Sequence, residues 1–204
     1  MKKMTWMVML AFLLSASGYA QETKVWTEED RQYLIENLVR SRDELLNEIN
    51  GLSPKQWSFK ESSDRWSINE VVEHLAIWEL CSQREMSRSL SGPPQPELNN
   101  PTREDSYYSN FIMEEKPHIT TEYTKPFTYT VPMGNNELKN NVAWLLKMRN
   151  ESIEYLKIAK EDLRSYYRAG GKDNLHQWYI YVFGHVDRHL RQIKKIKQHT
   201  NYPK

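Results

Sequence analysis

Four stretches of helical periodicity, with one long proline-bearing gap after the second, constrain the fold of this chain more than any other feature. From about Thr27 to Asn50, Leu34, Leu38, Leu45, Ile49 and Leu52 share one side. From about Ser67 to Ser89 the stripe is Ile68, Val71, Val72, Leu75 and Trp78. From about Asn136 to Lys160 it is Leu138, Val142, Leu145, Ile153 and Leu156. The last stretch, about Asp173 to Gln198, follows the breaker Gly170-Gly171 and repeats Leu175, Val182, His189 and Ile196 at heptad spacing, with Trp178, His185 and Ile193 interleaved. Thr27-Glu28-Glu29-Asp30 is a capping start and Gly51 a stop for the first helix. Ser67-Ile68-Asn69-Glu70 is an S-x-x-E capping box for the second, which Gly92-Pro93-Pro94 ends. Helices with one apolar side each bury it against one another, so the expectation is an all-α four-helix bundle.

The gap runs from Ser91 to Gly134, and Pro94, Pro96, Pro101, Pro117, Pro126 and Pro132 follow Pro93 in it. A connection that long in a compact domain is functional or a crossover. A crossover lets two consecutive helices of a bundle run parallel. Its stretch YTKPFTYTVP (123–132) alternates in a strand-like way. Without a partner strand it is expected to be an extended lid or packing arm.

The chain has 204 residues, the size of one domain. Residues 1–20 stand apart. Lys2 and Lys3 precede an apolar run from Trp6 to Leu14, and Gly18-Tyr19-Ala20 closes on small residues. This is the pattern of a secretory signal peptide, which predicts a secreted or periplasmic protein cleaved near Ala20 and a folded domain over residues 21–204. The apolar run is too short to span a bilayer comfortably, so no retained membrane span is expected. No cysteine follows the run to carry a lipid. The one cysteine, Cys81, excludes an intramolecular disulfide framework, so stability must come from the core. Two of the 28 Lys+Arg and none of the 27 Asp+Glu fall in the leader, so the remainder is within about one charge of neutral. That is no electrostatic footprint for nucleic acid. Arg188, Arg191, Lys194, Lys195 and Lys197 form a solvated face on the last helix, suited to its negative C-terminal end.

FGHVDRHLRQI (183–193) carries the chemistry. His185 and His189, at i and i+4, lie one above the other on the core-facing stripe. The spacing alone fits a pair of hydrogen-bonded core histidines as well as two ligands of one ion. His74, in VVEHLAIWEL, borders the apolar stripe of the second helix, with Val71, Trp78 and Cys81 on its side. If the second and fourth helices are neighbours, three imidazoles converge. Three neutral imidazoles with an open position form the ligand set of a catalytic zinc site, and imidazole also suits nickel, copper or iron. Without a metal, each buried nitrogen left unsatisfied costs about 1–3 kcal/mol.

WSINEVVEHLAIWE (66–79), taken with GHVDRHLRQI (184–193), resembles the DinB-like superfamily, which includes the YfiT-like metal-dependent hydrolases. The resemblance implies a bundle in up-down-down-up order whose crossover joins the second and third helices. It implies one divalent metal ion (zinc first, nickel or iron as alternatives) held by His74, His185 and His189. It implies a metal-dependent hydrolase acting on a small molecule of unidentified class. The alternatives are a metal-dependent thiol S-transferase, against which export argues because low-molecular-weight thiols are chiefly cytoplasmic, and a non-catalytic metal- or small-ligand-binding bundle. Related bundles pair, which leaves room for a homodimer, although no patch in the sequence demands one.

Other residues carry weaker readings. Glu70, one turn before His74, is the one carboxylate placed to orient an imidazole or act as a base, and the capping box accounts for it equally well. Glu73 and Asp187 point elsewhere around their helices and are expected to face solvent. Cys81 fits a small core residue better than a ligand. His176 is expected at the periphery of the site and His199 exposed near the tail, while His118 in the crossover has no fixed distance from the site. Trp66, Trp78, Trp178 and Tyr179 are core candidates, any of which could line the open coordination position.

Overall fold

The computed structural model describes residues 25–98, 103–114, 130–168, 170 and 173–204. Residues 1–20, where a signal peptide was expected, His118 and residues 123–129 of the alternating stretch lie outside the described residues. Six α-helices occur among those described: α1 Glu28–Ile49, α2 Pro54–Trp57, α3 Ile68–Leu90, α4 Asp105–Met113, α5 Leu138–Ile158 and α6 Leu175–Lys197. No β-strand occurs there, only one isolated bridge between Tyr167 and Asn174.

The caps explain where the long helices begin. Thr27 and Asp30 exchange side-chain-to-backbone hydrogen bonds at the start of α1, each 3.1 Å. Ser67 and Glu70 do the same for α3, at 3.2 and 2.8 Å. Asn174 and Gln177 do so for α6, a box not anticipated because Asn and Gln replace the usual Ser and Glu. Gly51, with φ +70°, turns the chain out of α1 in the left-handed region.

Cross-helix bonds give the topology. Arg40 meets Asp187 and Glu48 meets Lys197, so α1 and α6 run parallel. Asn69 meets Asn141, Glu79 meets Arg149 and Gln83 meets Ser152, so α3 and α5 run parallel. Arg31 reaches Leu156 while Arg42 reaches Asn150, which makes α1 and α5 antiparallel. His74 lies beside His185 and His189, and Trp78 beside Trp178, which makes α3 and α6 antiparallel. The order is up-down-down-up, with the crossover between α3 and α5.

Part of that crossover differs from expectation. Residues 105–113, for which no helix was expected, form α4, which packs on α6. Tyr108 and Ile112, one turn apart, are its buried residues. Gly184 in the middle of α6 is the seat for Ile112. A Cβ there would lie 2.7 Å from the Ile112 Cδ1. A helix-interior glycine costs about 1 kcal/mol against alanine, and close approach of α4 accounts for it. Arg188 and Arg191 donate to the terminal carbonyls of α4, at Ile112, Met113 and Glu114. They are therefore not a solvated face as expected: they satisfy orphan carbonyls at a helix C-terminus. Lys197 is likewise paired, to Glu48 at 2.7 Å.

Among the described residues, Arg149 and Glu79 form an ion pair buried on both sides. Arg149 is 1% exposed and holds Glu79 through its Nε at 2.8 Å, with further bonds to the Leu38 carbonyl and the Ser41 hydroxyl. This joins α5 to α3 and α1. Asp187, expected to face water, takes both terminal nitrogens of Arg40, at 2.9 and 2.8 Å, because α1 packs along that side of α6. No helix among the described residues is long and apolar enough to cross a membrane.

Candidate metal centre

The antiparallel contact of α3 and α6 brings the three predicted histidines together. His74, His185 and His189 are all buried, and the nitrogens they offer lie within 4.8 Å of one another. The Nε2 atom of His185 is 3.4 Å from that of His74 and 3.1 Å from that of His189. Two nitrogens bound tetrahedrally at a Zn–N distance of about 2.05 Å stand roughly 3.3 Å apart, so the spacing matches a shared ion.

The outer nitrogens set the tautomers. Nδ1 of His74 lies 2.6 Å from the Thr130 carbonyl oxygen, which can only accept, so Nδ1 carries the proton. Nδ1 of His189 donates to Oε1 of Gln192 at 2.8 Å. The Nε2 atoms of both rings are then bare lone pairs aimed at His185. His185 Nε2 can carry one proton and donate it to one neighbour, so within the trio the other lone pair is left without a donor. A cation satisfies it, and such outer-nitrogen partners are the usual means of orienting histidine ligands. The donor set therefore fits a divalent ion. Burial also keeps His74 and His189 neutral, the ligating form. It pushes His74 below the ordinary histidine range despite the opposing hydrogen bond to Thr130. It pushes His189 down to about 3, with nearby His74 adding to the shift.

Aromatic rings wall the group. Trp66 lies 4.8 Å from His74 and stacks on His189 at 6.4 Å; Trp78 lies 4.7 Å from His185. These two tryptophans shape the site and also pack against the core, as expected. Trp178 and Tyr179 are core residues, as expected.

Glu73 departs from the reading by sequence. It is 4% exposed, and its carboxylate accepts the N–H groups of Met133 and Gly134 at 3.1 and 2.8 Å. The returning crossover covers that side of α3, which helical geometry alone would leave to water. Glu73 and the His74–Thr130 bond together tie residues 130–134 against the site. Gly134, with φ +70°, permits the turn. Glu70 takes the capping role. Its carboxylate accepts from Ser67 N and from the Lys60 ammonium at 2.7 Å. Burial would raise its pKa, but these bonds outweigh burial and hold it below the ordinary glutamate range. Among the described residues Glu70 makes no hydrogen bond to His74. Cys81 stays outside the histidine group, and burial pushes its thiol pKa up.

His176 is likewise outside the group but is buried. Its Nδ1 accepts from Trp26 Nε1 at 3.2 Å, and its Nε2 faces Asp105 at 3.5 Å. His199 is half-buried rather than exposed, its ring 5.5 Å from Phe59. Thr130 and Gln192 escaped the reading by sequence. Gln192 had a signal, since His-x-x-Gln places it one turn from His189; Thr130 had none, because its approach is a tertiary event.

The family model of the DinB superfamily matches residues 37–193. The chain belongs to the DinB superfamily. Its similarity to the uncharacterized protein YuaE of Bacillus subtilis (strain 168) is 25% identity over 158 residues, 78% of this chain and 93% of YuaE. Among solved structures it is similar to YfiT of Bacillus subtilis, with TM-score 0.52, 13% identity and coverage of 90% of this chain and 93% of that one. YfiT is described as a probable metal-dependent hydrolase with an unusual four-helix bundle topology. At that identity the likeness establishes the shared fold, and the up-down-down-up order agrees with it.

Proposed function

We propose that this DinB-superfamily protein is exported and binds one divalent metal ion through His74, His185 and His189, zinc first among the candidates, as a metal-dependent hydrolase of a small molecule. One observation carries the reading: three buried imidazoles converge with their Nε2 atoms 3.1–3.4 Å from neighbour to neighbour. A divalent ion held there supplies Lewis acidity, polarising a substrate group or lowering the pKa of a bound water. The chain does the rest. Thr130 and Gln192 orient two of the rings, Trp66 and Trp78 exclude bulk water, and burial keeps His74 and His189 unprotonated. The description of YfiT supports hydrolysis by analogy, and the leader at residues 1–20 supports export.

The test has two stages. Metal is first measured in the purified mature protein and in the His185→Ala and His189→Ala variants, where it should fall to background. Content unchanged by both substitutions would sink the ligand assignment. Metal-loaded protein is then screened with ester, amide and thiol-conjugation probes. Turnover of esters or amides supports the hydrolase. Turnover of thiol probes alone overturns it in favour of S-transfer, and no turnover favours a binding bundle. The N-terminus of the exported protein, read by mass spectrometry, should begin just after Ala20.

A further inference from the structure

Beside the histidines lies a cavity of about 300 Å³ between α3, α4 and α6. Trp78, Trp178 and Tyr181 line it and form a three-ring cluster, with Trp78 and Trp178 tilted against each other at 5.3 Å. Trp78 and Tyr181 lie 5.3 Å apart at 27°, and Trp178 and Tyr181 lie 5.0 Å apart at 9°. α4 adds Tyr107 and Phe111, themselves stacked at 5.8 Å and 12°. Trp78 and Tyr181 also touch His185, and Thr130, which lines the same cavity, accepts from His74. The cavity therefore abuts the metal centre at one end.

Two polar atoms in this lining stand out. The Ser82 hydroxyl and the Trp178 indole N–H are buried and have no hydrogen-bond partner among the described residues. Ser82 is 1% exposed and Trp178 5%. An indole N–H can only donate, so what completes it must bring an acceptor. The charged residues of the lining, Arg103 and Arg168 against Glu85 and Asp173, cancel formally, and Arg168 pairs with Asp173 at 3.4 Å. Among the described residues of the lining the two signs balance, and the Arg168 guanidinium lies 3.4 Å over the Trp178 ring, so one face of that indole is already covered. A cavity of about 150 Å³ holds one benzene ring, so about twice that volume suits a bicyclic ring or a ring with substituents.

We propose that this cavity binds a neutral, flat aromatic molecule carrying a hydrogen-bond acceptor, which Trp178 Nε1 and Ser82 Oγ receive. Where it names that molecule as the aromatic part of a substrate, it rests on the metal-hydrolase reading; as a binding site it does not. The aromatic walls stack the ring, and the two donors set its orientation toward His185.

The experiment titrates the mature chain with 2-acetylnaphthalene, a neutral aryl ketone with no hydrolysable bond. Binding is read by calorimetry and by the Trp178 indole N–H resonance, assigned through Trp178→Phe. Chelator-stripped protein is used, so the metal reading can fail while this one stands. Saturable one-site binding that moves the Trp178 resonance is expected. Trp178→Phe and Ser82→Ala, checked for native circular dichroism, should each weaken it about two- to tenfold, the worth of one hydrogen bond. 2-Ethylnaphthalene, which lacks the acceptor, and the anion 2-naphthoate should both bind more weakly. The proposal is overturned if the ketone shows no saturable binding. It is overturned equally if the Trp178 resonance stays still, or if 2-ethylnaphthalene or 2-naphthoate binds as tightly as the ketone.

Discussion

Acid should destabilise the metal-free protein through its buried histidines, and His189 allows the size to be worked out. Its pKa in the folded chain is pushed down to about 3 from 6.5, burial being the largest cause. A depressed folded-state pKa means the unfolded chain takes up the proton first. The stabilising contribution is therefore complete above about pH 6.5 and is lost as pH falls from there toward 3. Each unit is worth about 1.4 kcal/mol, so at pH 5 roughly 2 kcal/mol should be gone, and about 5 kcal/mol at the end of the window. Against a total stability of about 5–15 kcal/mol that is a large share. His74 shifts in the same direction, so the measured slope should exceed one proton. The assay is urea unfolding of chelator-stripped protein at intervals from pH 7.5 to 4, beside a His189→Gln variant. The variant should lose up to one proton of slope, most of it between about pH 6 and 4. Identical slopes in the two proteins would refute the assignment of His189 as a buried neutral imidazole. Bound metal should move the loss to lower pH, because protons must displace it.

Gln192→Leu removes the partner of His189 Nδ1 and should weaken metal affinity by about 10- to 100-fold in a competitive chelator titration, with the fold unchanged by circular dichroism. Arg149→Met leaves Glu79 buried without its partner and should cost about 3–5 kcal/mol in urea unfolding, while adding Glu79→Leu should recover most of it. Gly184→Val pushes branched carbons into Ile112 and should expose the α4 amides to faster hydrogen exchange than those of α3 or α5. Glu73→Ala deletes the acceptor of two N–H groups and should speed exchange of the Met133 and Gly134 amides in particular.

The long helices were legible because their signals are local. The Thr27 and Ser67 boxes sit within four residues of the helix starts they set, and the apolar stripes need only a 3.6-residue period. α4 was missed because a nine-residue helix has few turns in which to show that period, and neighbouring prolines argue for extended chain. Tyr108 and Ile112 were its signal. The histidines were legible because His185 and His189 interrupt an apolar stripe and a third imidazole sits on another. The misreadings share one cause. Glu73, Asp187, Arg188 and Arg191 were assigned to water from their angle around a single helix, and each is covered or engaged by another element: the returning crossover, α1 and α4.

The sequence by itself determined the all-helical class, the helix starts and the three candidate ligands, because periodicity, capping chemistry and residue type act over a few residues. Only the tertiary structure decided what surrounds the ligands. That α3 and α6 meet antiparallel with three nitrogens 3.1–3.4 Å from neighbour to neighbour depends on the whole bundle closing. So does the Thr130 carbonyl on His74, which is contributed from 56 residues away. The aromatic cavity depends on it too, since its walls come from three helices that have no sequence relation to one another. Local chemistry chooses the donors, but long-range packing chooses their partners, and it is the partners that set tautomer, charge and access.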